Sequence, residues 1–153
     1  MPEENTGNIL KRLWILFWLS IISPLLLFIA VVIIHQMGII IIAPGNIRVW
    51  GILLLVLSVS FGVALPVLFR TSFHGNYLKT KKVTLSDYYI YQRKMVVVCA
   101  VSIIPASGAY LFIVSPLYMY GSILAALYGI YSTLPFSDKI VNELKMYSLW
   151  NQD

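Results

Sequence analysis

Four long apolar runs, at about residues 13–34, 49–69, 95–114 and 117–134, dominate this chain. A helix needs about 20 apolar residues to cross the hydrocarbon of a bilayer, and each run comes close to that length. In hydrocarbon the backbone must bond to itself, so a single apolar run of this length can only be accommodated as a helix. The expected fold is an all-α integral membrane protein, a four-transmembrane-helix bundle forming one domain over residues 1–153. Composition agrees: 11% of the residues are charged, against roughly 25% in a soluble domain, too few to cover a water-facing surface.

The placement of charge gives an orientation. Lys11 and Arg12 precede the first run, Arg70, Lys79, Lys81, Lys82, Arg93 and Lys94 lie between the second and third, and Lys139 and Lys145 follow the fourth. Of the 11 cations only Arg48 falls in an odd-side connection. By the positive-inside rule the side rich in Lys and Arg is cytoplasmic, which puts both termini in the cytoplasm. The first run is longer than the roughly 7–15 residues of a signal-peptide core, and it reads as an uncleaved signal anchor. Small size and this charge bias suit a prokaryotic inner (plasma) membrane.

Local punctuation refines the spans. Trp14 and Trp18 sit one turn apart at the start of the first run, where amphipathic rings favour the headgroup region. Pro24 is expected to bend that helix. Span one either runs on, tilted, to Ile42 or ends near His35 with isoleucines 39–42 along the outer surface, and Gly38 as a helix stop favours the second. Thr84 with Asp87 resembles a capping box that starts a helix leading into span three, and the stretch from Arg70 to that point reads as a polar loop. Pro105 to Ala109 predicts a kink in span three, and Pro116 suits the first turn of span four. In the segment 137–150, Ile140, Val141, Leu144 and Tyr147 share a face, with Glu143 among the residues placed opposite. That pattern predicts a short C-terminal amphipathic interfacial helix, lying on the inner membrane surface or against a partner.

The clearest motif is Gly121, Ala125 and Gly129, a four-residue repeat that puts small residues on one stripe and admits another backbone at close range. Ser58 and Gly62 in span two share that four-residue spacing with Pro66. The stripe serves either packing within the bundle, which is favoured, or docking of a partner. Tyr128 with Ser58, Ser60 or Ser107 offers a small polar pocket between spans. His35 and His74 are the only histidines, and the topology sets them on opposite sides of the membrane, which excludes a shared haem within one chain. Cys99 is a lone thiol within span three.

None of the four runs contains Asp, Glu, Lys, Arg or His, the groups that mark intramembrane ion and proton pathways. No catalytic or cofactor motif accompanies them, and the cations lack a nucleic-acid recognition motif. The sequence therefore points away from an enzyme and calls for no cofactor or metal. The expected function is a structural, accessory or assembly subunit of a larger membrane complex, associating through small-residue helix packing. The alternative is a small oligomeric transporter or channel for a neutral or apolar solute. Expected partners are membrane lipids and another membrane protein or further copies of the chain. The cations Arg70, Lys79, Lys81, Lys82, Arg93 and Lys94 are candidates for contact with anionic lipid.

Overall fold

The elements follow from a few local signals. In the computed structural model, which describes residues 2–38, 45–80, 84–112 and 114–147, α1 spans Pro2–Gln36 and runs through Pro24. It ends where Gly38 adopts φ +75°, a left-handed conformation that glycine takes without strain. The isoleucines at 39–42 lie outside the described residues. Asn46 caps α2 (Ile47–Val59) by accepting the Arg48 amide at 3.0 Å. Helix α4 (Leu85–Val101) starts on the anticipated capping box: the Asp87 amide donates to Thr84 Oγ1, and the Thr84 amide donates to the Asp87 carboxylate. Pro116 opens α6 (Pro116–Thr133), and α7 (Ser137–Met146) closes the chain's described part.

Two prolines set irregularities. Pro66 has no N–H to offer the carbonyl of Gly62, four residues back. Between α2 and α3 (Leu65–Thr80) the chain takes a π-helical turn, Ser60–Ala64, in which the Leu65 amide reaches back five residues to Ser60. Pro105 acts in the same way on the third long helix. The break falls at Ser102, between α4 and α5 (Ile103–Leu111), one turn before the proline rather than within 105–109. That is where the ring would meet the preceding turn. Ser102 Oγ donates to the Cys99 carbonyl at 2.6 Å and repairs part of the ladder.

Among the described residues the protein is all-helical, with no strand. Three helical stretches are long and apolar enough to cross a membrane: Leu10–Gln36, Ile47–Leu78 and Leu85–Leu111. Helix α6 has 18 residues and no charge, but its four tyrosines leave it less apolar than those three. The α4–α5 helix is central, with α1 against it on one side and α2 and α6 on the other. Burial follows this order. In the most apolar window of each helix, 56% of the α4–α5 residues are buried, but only 17% of those of α1. Trp14 and Trp18 project from α1 and stack at 6.4 Å, in keeping with a headgroup belt.

One expected loop is helical. Residues 70–80 continue α3 for nearly three turns, because Phe73 and Tyr77 find a buried aromatic cluster that rewards continuation. Tertiary contact here overrides the weak helix preference of Gly75 and Asn76.

Candidate functional site

Polar side chains converge at one end of the bundle, where α3, the start of α4, and α7 meet. Helix α3 supplies Arg70, α4 supplies Tyr88 and Gln92 one turn apart, and α7 supplies Glu143. Arg70 Nη2 donates to Glu143 Oε1 at 2.8 Å, while Tyr88 Oη and Gln92 Nε2 both donate to Oε2 at 2.8 Å. Gln92 Nε2 also lies 3.0 Å from Tyr88 Oη. The carboxylate is thus satisfied by one cation and two neutral donors. The Glu143 side chain is 12% exposed and that of Arg70 54%, so the pair sits at a boundary, with its acid inside and its base half in water. Leaving the Tyr88 and Gln92 donors unpaired would cost about 1–3 kcal/mol, more than the ion pair itself contributes.

Around this knot lies an aromatic layer. Phe73 stacks on Tyr91 at 4.3 Å, and Tyr147 meets Phe73 and Tyr77 edge-on at 5.2 and 5.0 Å. Ile140 and Leu144 are buried against Leu13, Tyr88 and Met95. The apolar face of α7 is therefore covered by the chain's own bundle. This corrects the expectation that lipid or a partner would cover it. Glu143 lies three residues after Ile140 and four before Tyr147, so it shares their side of the helix rather than the opposite one. Leu13 in the same cluster brings the start of α1 to the same end as α7.

Two groups of α7 feel this burial. Lys139 donates from Nζ to the Ser132 carbonyl, and desolvation holds its pKa below the usual lysine range. Burial raises the Tyr147 phenol, and the nearby Glu143 charge adds to the rise.

The small-residue stripe forms the tightest seam of the bundle. A Cβ on Gly62 would lie 2.4 Å from the Ala125 carbonyl oxygen, and one on Gly129 would lie 2.9 Å from the Gly62 oxygen. Gly121 faces a Leu55 methyl at 2.8 Å from the same construction. Gly62, Ala125 and Gly129 thus pack on each other within the chain, which leaves this part of the stripe covered and unable to receive a partner. The carbonyl that Pro66 cannot engage, that of Gly62, is the one turned toward Gly129.

The expected polar pocket does not assemble. Ser107 donates to the Ile103 carbonyl and Ser122 to that of Tyr118, each within its own helix. Tyr128 is half-exposed on α6 and does not partner the buried Ser58 hydroxyl. Ser58 is fully buried at the seam, with its Oγ unpartnered among the described residues. His35 packs on Tyr110 and His74 on Tyr147, at opposite ends of the molecule. Of the candidate lipid-contacting cations, Arg70 is held in the ion pair, and Arg93 and Lys94 are exposed on α4. Lys79 belongs to the last turn of α3, while Lys81 and Lys82 lie outside the described residues.

The sequence reading missed Tyr88, Gln92, Lys139 and Glu143 as a set. The available signal was Glu143 inside the 140/144/147 pattern, an acid at a position that should be apolar. Helix content and hydropathy give the class: among the described residues, an all-helical protein with three helices long and apolar enough to cross a membrane. No protein family, curated protein or solved structure matches the chain.

Proposed function

We propose that this protein is a non-catalytic, membrane-embedded structural or assembly subunit, working by lateral association rather than by moving a solute. The observation that carries the reading is where its polar groups go. Ser102, Ser107, Ser122 and Thr133 all return their hydroxyls to carbonyls of their own helix, and the charged knot ties α7 to the bundle. These groups build and hold the structure. The flanks of α1 and of Ile47–Leu78, only 17% and 22% buried over their most apolar windows, remain for lipid and for a neighbouring membrane protein or another copy.

In this reading α6 is a fourth span. It runs beside α2 and the π turn from Tyr118 to Gly129, and in a bundle its tyrosines fall at the two interfaces and on the lipid side. Both termini then face the cytoplasm, as the positive-inside rule requires of the Lys- and Arg-rich end, in a prokaryotic inner membrane. The test is gentle extraction at native expression level followed by mass spectrometry of what stays bound. A stoichiometric membrane partner supports the proposal. Protein recovered alone that passes neutral solutes across vesicles above the empty-vesicle rate overturns it in favour of a small transporter.

A further inference from the structure

We infer that a cleft between α3, α6 and α7 binds the phosphate of an anionic phospholipid headgroup. The cleft holds about 250 Å³ and is lined by Arg70, Tyr128, Tyr131, Ser132, Phe136 and Lys139. Its cations come from two helices that the chain separates by most of its second half, and the fold alone brings them to one wall. Glu143 also faces this region, but its two oxygens are already occupied by Arg70, Tyr88 and Gln92. Two cations against one satisfied acid leave a positive site. Arg70 engages Glu143 through Nη2, and a guanidinium carries five N–H donors, so a half-exposed Arg70 retains donors for a second anion.

Lys139 is the more telling group. It is partly withdrawn from water and bonded to a neutral carbonyl, while the nearby Glu143 carboxylate, already paired with Arg70, offsets only part of the desolvation. A lysine held in this way is destabilised in its charged form, and an incoming phosphate relieves that penalty.

The shape argues for a lipid rather than a free anion. Beyond Arg70 and Ser132 the cleft narrows into a smaller recess walled by Pro66, Val67 and Met95, a strip of apolar contact leading along the bundle. Tyr128 and Tyr131 are exposed at its rim, where belt tyrosines meet headgroups. A phosphate at the cations would lay its acyl chain along Val67 and Tyr128. The cation-rich end is the one expected at the inner leaflet, where anionic lipids provide the counter-charge.

The full-length chain, purified in neutral detergent, is titrated with phosphatidylglycerol, with phosphatidylcholine of the same acyl chains, and with inorganic phosphate. Bound lipid is counted by native mass spectrometry and stability is followed by thermal unfolding. Phosphatidylglycerol should bind at about one per chain and raise Tm. Lys139→Gln should weaken it at least tenfold, Lys139→Arg should restore it, and removal of two off-site charges exposed on α1, in Lys11→Gln/Arg12→Gln, should leave it within twofold. Equal loss in the off-site double variant, or no preference over phosphatidylcholine, overturns the site. An equal response to inorganic phosphate overturns the lipid assignment. Should Lys139→Gln fail to fold, Tyr131→Glu places a carboxylate at the exposed rim, and undiminished binding there overturns the proposal equally.

Discussion

Gly62 is the position where one added methyl group should do the most damage. Its Cβ would stand 2.4 Å from the Ala125 oxygen and 2.9 Å from the Ala125 carbonyl carbon, both backbone atoms that no rotamer change can move. Ordinary contact begins at 3.4 Å, so Gly62→Ala requires the π turn and α6 to separate locally by about 1 Å. Forcing a methyl into a packed interior destabilises by about 1–3 kcal/mol, and the gain in helix propensity, at most about 1 kcal/mol, offsets only part of this. The internal control is Gly75→Ala on α3, where the new methyl meets nothing within 4 Å and the propensity gain of about 0.5–1 kcal/mol stands alone. Gly121→Ala falls between, because its obstacle is the movable end of Leu55. Thermal unfolding in detergent should rank the variants Gly75→Ala above wild type, Gly121→Ala near it and Gly62→Ala clearly below. Gly62→Ala as stable as Gly75→Ala would refute the tight seam and the packing of the π turn on α6.

Glu143→Ala should loosen α7 by about 1–3 kcal/mol through the stranded Tyr88 and Gln92 donors, read as faster amide exchange across 137–147; unchanged protection would remove the knot's structural role. Thr84→Ala should destabilise by about 1 kcal/mol and speed exchange at the Asp87 amide, which donates to Thr84 Oγ1; an unaltered rate there would show that the cap is not formed. Lys139 has a folded-state pKa below its unfolded value, so the unfolded chain binds more protons between the two, and its unfavourable contribution should fade as pH rises through the folded pKa toward 10.5. The stability of wild type minus that of Lys139→Met, measured in neutral detergent without added lipid, should therefore increase with alkaline pH; a flat or falling difference would contradict the burial of that ammonium group.

Much of this was legible in the residues. Capping at Thr84, the stop at Gly38 and the opening of α6 at Pro116 are local events, governed by side chains within a few positions, and the sequence displays all the parts. The break before Pro105 was legible in kind but displaced, since the proline acts on the turn before it. Residues 70–80 were misread because the reason for their helix lies elsewhere. Phe73 and Tyr77 are anchored by Tyr91 and Tyr147, neighbours that local propensity cannot supply.

The amino-acid sequence by itself determined the helical character of the chain, with segments long and apolar enough to cross a membrane, and the asymmetry of its charge. Both depend on how residues partition between water and hydrocarbon, which is a property of short segments taken one at a time. Tertiary structure alone decided what the small and polar residues are for. It closed Gly62 onto Ala125 and Gly129, folded α7 back onto its own bundle, turned Glu143 inward to Arg70, Tyr88 and Gln92, and set Lys139 across a cleft from Arg70. Those pairings bring together residues far apart in the chain, and their energies exist only once the helices are packed.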